Sequence, residues 1–123
     1  MKAHSNGFLA IVEDAKSRVR EVTVAETMAA VAADSSAIIV DVREESEFTA
    51  GHVKGAEHLG KGVLERDIEK LHPDRDQPLY LYCGGGFRSA LAADNAQKMG
   101  YTRVYSVAGG WRAFLDAGVA TEK

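Results

Sequence analysis

One stretch constrains the fold of this chain more than any other. Leu79-Tyr80-Leu81-Tyr82 is followed by Cys83-Gly84-Gly85-Gly86-Phe87-Arg88-Ser89. The first four residues read as a short buried strand, and Ala90 to Met99 read as a helix. Three consecutive glycines between them let the backbone curl without Cβ clashes. A tight curl at a helix start aims several N–H groups at one point, where the helix dipole adds positive potential. Cys83, the only cysteine in the chain, stands at that point. A thiol so placed is expected to ionise more readily than a free cysteine. The segment describes a cradle for a sulfur anion, with the N–H groups from Gly84 through Arg88 as donors and the Arg88 side chain as a positive charge at its rim.

Strand-like and helix-like segments alternate along the rest of the chain. Phe8, Ile11, Val12, Ala15, Val19 and Val22 recur at helical spacing, which predicts an amphipathic helix from about Gly7 to Arg20. Thr23-Val24-Ala25-Glu26 has the form of a capping box and predicts a second helix through about Ala33. Ala37-Ile38-Ile39-Val40 is a short, β-branched apolar run and reads as a buried strand with Asp41 at its carboxyl end. Glu44 to Ala50 predicts a short helix closed by Gly51, and Ala56 to Leu59 a short strand. Gly62 to Leu71 reads as a helix with Val63, Leu64, Ile68 and Leu71 facing inward. Gly100 ends the helix after the loop. Arg103 to Val107 reads as a strand, and Gly109-Gly110 introduces a last helix from Trp111 to Asp116. This alternation argues for an α/β layered fold with a mainly parallel sheet. Ligands of such sheets bind beyond the carboxyl ends of the strands, where both Asp41 and Cys83 fall.

At 123 residues the chain is expected to form one core. A net charge of −3 gives no general attraction to nucleic acid or anionic lipid. No apolar run of about 18 residues suggests a membrane span. The N-terminus lacks the apolar core of a signal peptide, so a cytoplasmic location, where a thiol stays reduced, is expected. His4, His52, His58 and His72 do not share metal-ligand spacing on one helix, so no metal and no cofactor are expected.

These motifs resemble those of single-domain rhodaneses, sulfurtransferases whose cysteine carries a sulfane sulfur as a persulfide. The family's active loop is a cysteine, four residues, then often an arginine followed by Ser or Thr. Cys83, Gly86, Arg88 and Ser89 match it in this chain. Asp41-Val42-Arg43-Glu44, Glu47-Phe48 and Gly51-His52-Val53-Lys54-Gly55-Ala56 agree with a second family motif, and Gly109-Gly110-Trp111 with a third. The similarity runs from about Thr23 to Gly118. It implies a three-layer α/β/α domain over residues 23–123, with residues 1–22 as an added helical extension.

The resemblance also implies a reaction. The Cys83 thiolate attacks the outer sulfur of a donor such as thiosulfate, forms a persulfide and releases sulfite. Cyanide or a thiol then takes the sulfur. With no second cysteine to resolve the persulfide, the acceptor must be an external molecule or another protein. Gly84, Gly85, Gly86, Phe87, Arg88 and Ser89 are expected to form the binding loop. Phe87 is expected at the pocket rim, and Ser89 either at the sulfur or as a helix cap. Asp41, Arg43 and His52 are expected in support: Asp41 as a hydrogen-bonding residue behind the loop, Arg43 paired with Glu47 or another acid, His52 bonded within the Gly51–Ala56 turn. Trp111 is expected in the core.

Other readings stay open. Gly84 and Gly85 leave the loop short of charge for a thiosulfate specialist, so mercaptopyruvate, a low-molecular-weight persulfide or a partner protein's persulfide are alternative donors. The chain is otherwise a sulfur-relay carrier for a partner protein, its first helix serving as a docking or dimer contact, or a non-catalytic interaction domain. Phosphatases and arsenate reductases of related fold place five residues between cysteine and arginine, and phosphatases usually have histidine before the cysteine. Here there are four residues and Tyr82, which makes that the lesser reading. A monomer or weak homodimer is expected.

Overall fold

The structure, a computed structural model, describes residues 4–123. Strands β1 (Arg20–Val22), β2 (Ile38–Asp41), β4 (Glu57–His58), β5 (Leu79–Tyr82) and β6 (Val104–Val107) form one sheet in the order β1-β6-β5-β2-β4, all parallel. Strands β3 (His52–Val53) and β7 (Thr121–Glu122) form a separate antiparallel pair. The helices are α1 (Asn6–Lys16), α2 (Val24–Ala33), α3 (Glu45–Ala50), α4 (Leu64–Leu71), α5 (Phe87–Lys98) and α6 (Gly110–Asp116).

A parallel sheet needs both faces covered, and the central strands carry apolar side chains in both directions. Leu79 and Leu81 of β5, with Cys83 just after it, join the core under α4 and α5, while Tyr80 and Tyr82 join the core shared with Phe114 of α6. Ala90, Ala92, Ala93 and Ala96 of α5 are fully buried, and their small size lets the helix lie close on the strands. Helix α2 starts with the expected capping box. Thr23 Oγ1 accepts from Glu26 N at 3.0 Å, and Thr23 N donates to Glu26 Oε1 at 2.8 Å. The layers are thus helix, sheet and helix. No helix among the described residues is long and apolar enough to cross a membrane.

Three local expectations need correction. The first helix stops at Lys16, and Arg20–Val22 is an edge strand paired with Tyr105–Val107. Val19 and Val22 fit helical spacing by position, but Val22 lies in the strand and Val19, just before it, packs in the core. Helix α1 packs on α5, with Val12 and Ala15 buried, while Ile11 is 56% exposed. On α4, Leu64 and Ile68 are buried, whereas Val63 and Leu71 face solvent at 37% and 48% exposure. Helix α5 begins at Phe87, inside the loop, because Gly86 adopts φ +98° as its N-cap.

Candidate active site

The strand order puts Cys83 at the carboxyl edge of a central strand, between the loop after β2 and the loop after β6. Both neighbours grip the strand exit. Val42 N donates to Tyr82 O at 2.9 Å, and Trp111 N donates to Cys83 O at 2.7 Å. The Gly109-Gly110-Trp111 motif finds its physical reason here. Gly110 has φ +53°, and a Cβ on it would overlap the Cys83 carbonyl. A Cβ on Gly86 would in turn press on Gly109 N at 3.3 Å. Glycine at these positions lets the two turns nest.

The nested turns aim donors at the sulfur. Gly86 N lies 3.1 Å and Ser89 N 3.3 Å from Cys83 Sγ, both as hydrogen-bond donors. The Ser89 hydroxyl is 3.5 Å from Sγ and 2.8 Å from Ser106 Oγ. Ser89 stands in the first turn of α5, after the cap, so it is a sulfur neighbour rather than a cap. Of the amides expected between Gly84 and Arg88, Gly86 points at the sulfur, and the second donor lies one residue beyond that span. Cys83 is 1% exposed and forms the floor of an open cleft of about 690 Å³.

Arg88 does not stand free at the rim. Its Nη1 and Nη2 donate to Glu47 Oε2 and Oε1 at 2.8 and 3.1 Å. The pair is half-exposed and lines the cleft. The Arg88 hydrogen bonds hold the Glu47 carboxyl below the usual carboxylate range. Glu47 also accepts from Glu44 N at 3.0 Å, which ties the pair to the start of α3.

With Glu47 taken by Arg88, Arg43 pairs with another acid, Asp41. Its Nη2 binds Asp41 Oδ2 at 2.8 Å and Gly51 O at 2.6 Å, and its guanidinium lies 4.8 Å from the centre of the Trp111 ring. Asp41 Oδ1 also accepts from Arg43 N at 2.9 Å. Asp41 and Arg43 thus form a buried brace between the β2 exit, α3 and α6, and their bonds go to one another and to Gly51 O rather than to the sulfur. Trp111, expected in the core, is half-buried and acts as the platform of that brace. His52 Nδ1 donates to Phe48 O at 2.8 Å, and its ring stacks on Phe48 at 3.7 Å. It is a structural neighbour of the brace, bonded just outside the expected turn.

Sequence reasoning missed one wall of the cleft. Besides Glu47 and the loop residues, His4, Ser5 and Phe8 line it. The amphipathic spacing of α1 marked Phe8 as an inward residue, but nothing local says that inward means toward Cys83. Among the described residues, no group of His, Cys, Asp and Glu side chains could hold a metal ion.

The Rhodanese-like domain family matches residues 23–117. The chain is 37% identical to the uncharacterized protein YqhL of Bacillus subtilis, an alignment spanning 60% of this chain and 57% of that one, little more than half of the relative's length. It is 36% identical to the thiosulfate sulfurtransferase GlpE of Ectopseudomonas mendocina, over 70% of this chain and 80% of that one. A solved Rhodopseudomonas palustris protein of unknown function, described as a possible tyrosine phosphatase, superposes with a TM-score of 0.83 at 32% identity. That match covers 99% of this chain and 98% of the other. A cysteine cradled by amides beyond a parallel strand, and a family match over most of the residues that build it, make this chain a member of the rhodanese-like family.

Proposed function

We propose that this protein is a sulfurtransferase that moves a sulfane sulfur from a donor such as thiosulfate to cyanide or a thiol through a Cys83 persulfide. The observation that carries the reading is the convergence of Gly86 N and Ser89 N on Cys83 Sγ at the floor of an open cleft. Main-chain donors fixed by the nested glycine turns stabilise negative charge on sulfur without reorganising during reaction, a contribution of about 3 kcal/mol per donor in comparable sites. With thiosulfate, the Cys83 sulfur attacks the outer sulfur, its electron pair forms the new S–S bond, and sulfite leaves with the pair of the broken one. The terminal sulfur then passes to the acceptor and Cys83 is restored. The likeness to GlpE supports thiosulfate as one donor. With a single cysteine in the chain, the acceptor is external, so a protein acceptor in a sulfur relay fits the same chemistry. A reducing compartment such as the cytoplasm would keep the thiol competent.

Intact mass measures the persulfide directly. Thiosulfate, mercaptopyruvate or an organic persulfide should add the mass of one sulfur atom, cyanide should remove it, and Cys83→Ser should abolish it. A mass unchanged by all three donors would refute the reading.

The Rhodopseudomonas neighbour, described as a possible tyrosine phosphatase, raises a second reading. Four residues separate Cys83 from Arg88, and Glu47 already occupies the Arg88 guanidinium. A phosphoryl group would therefore find little room and no free cation in the loop. Cys83-dependent hydrolysis of an aryl phosphate would favour this second reading.

A further inference from the structure

The cleft above Cys83 is walled on one side by residues outside the matched family segment 23–117. Ser5 caps α1 by accepting from Phe8 N at 3.3 Å, which fixes Phe8 in the first turn. The His4 ring is 4.7 Å from the Phe87 ring and 5.2 Å from Phe8, and Phe8 and Phe87 are 6.2 Å apart. Phe87 is the first residue of α5, between the cradle glycines and Arg88. The rim of the sulfur site is thus a three-ring aromatic cluster built jointly by the loop and the N-terminal segment. It is held in place from the far end of α1. Arg18, just beyond the helix, binds the Asp94 carboxylate of α5 through Nε at 3.0 Å and Nη2 at 2.8 Å.

The charges of the cleft point the same way. Arg88 and Glu47 cancel one another at 2.8 Å. The remaining loop residues of the lining, Gly84, Gly85 and Phe87, carry no charge. Lys16 Nζ, 5.0 Å from the centre of the Phe87 ring, is already paired with Glu21 Oε2 at 3.6 Å. Among the described residues, an inorganic dianion entering this cleft would therefore lose water without gaining an unpaired Lys or Arg. An organic group would instead bury apolar surface against aromatic faces.

From this we infer that His4, Phe8 and Phe87 are specificity-determining residues for an organic sulfane-sulfur donor, an R–S–S⁻ persulfide or R–SO₂–S⁻ thiosulfonate whose R group rests on the aromatic rim. The inference rests on the sulfurtransferase reading and assigns its substrate class. In the thiosulfonate case, Cys83–S⁻ attacks the terminal sulfur of R–SO₂–S⁻. The S–S bond to the thiolate forms, the bond to the sulfonyl sulfur breaks, and R–SO₂⁻ leaves with that electron pair, giving Cys83–S–S⁻. The two negative charges are conserved and no outside oxidant or reductant is consumed.

The test compares benzenethiosulfonate with thiosulfate, on the full chain with cyanide as acceptor, as a ratio of kcat/KM values. The wild-type protein should favour the aromatic donor. In Phe8→Ala and in His4→Ala that ratio should fall about tenfold, mainly through KM, the scale of one lost aromatic contact. Leu9→Ala, on the outward face of α1, should keep the ratio within about twofold. His4 is exposed, so its variant reports even where Phe8→Ala perturbs folding. Ratios unchanged in both rim variants, with Cys83 persulfide still forming, would overturn the rim assignment and leave the transferase standing. No sulfur added to wild-type Cys83 by either donor would overturn both.

Discussion

Gly110 lies directly beneath the carbonyl of Cys83, so close that any side chain there would overlap the carbonyl oxygen. The positive φ of Gly110, +53°, adds a second reason for glycine. Gly110→Ala must therefore lift the cysteine turn or strain its own backbone, at a cost of about 1–3 kcal/mol. The expected outcome is a lower melting temperature together with loss of persulfide formation. Calorimetry and intact mass on the same preparation check it; a variant with wild-type values for both would show that the two turns are not nested as described.

Ser89 joins two functions that one variant separates. Its amide points at Cys83 Sγ, and its hydroxyl bonds Ser106 in a fully buried site. Ser89→Ala keeps the amide and leaves the Ser106 hydroxyl without that partner. Stability in urea should fall by about 1–3 kcal/mol, while the Cys83 persulfide still forms at a reduced rate. Complete loss of the persulfide in a folded variant would move the main role from amide to hydroxyl.

The Glu47–Arg88 pair predicts a particular pH dependence. Glu47 titrates below its ordinary value of 4.5 because Arg88 hydrogen-bonds its ionised form. A depressed carboxylate contributes stability that is fully present above its unfolded value and is lost as pH falls through the folded one. The stability difference between wild type and Glu47→Gln should therefore be flat from pH 7 to about 5.5 and shrink below about 4.5. For a half-exposed pair the plateau should be small, about 0.2–1 kcal/mol. Chemical denaturation at each pH measures it, and a difference that grows toward acid would contradict the pairing.

Arg18→Ala tests how α1 is held. The variant leaves the Asp94 carboxylate, 8% exposed, without its bidentate partner. Stability should fall, with hydrogen exchange accelerating first in α1 and its contact face on α5. Exchange that rises evenly across the molecule would indicate that α1 is held mainly by Val12 and Ala15.

Local chemistry explains why some of this was legible in the sequence. A capping box acts within four residues, so Thr23 and Glu26 announced α2 in advance. The Cys83 loop was readable because a strand, three glycines and a helix leave the amides few directions to point. What was hidden depends on residues far apart in the chain. Arg88 reaches Glu47 across 41 positions, and Phe87 meets His4 across 83, with no periodicity to signal either. Arg43 was readable as an ion-pair partner but not which acid it takes: Asp41 is two residues away, set by a bend at the strand end rather than by helical spacing. The edge strand β1 spans three residues, too few for alternation to outweigh the helical pattern of the valines beside it. The two-residue strands β3 and β7 carry no pattern at all.

The nesting of Gly86 on Gly109, and of Gly110 on Cys83, also bears on the birth of the protein. A ribosome that has reached Ser89 has made every atom of the thiol's own loop, yet the turn that seats it is still some twenty codons away. A nascent chain should thus display an ordinary, unsupported cysteine until the segment carrying Trp111 clears the exit tunnel. On the sulfurtransferase reading, reactivity would arrive late and all at once.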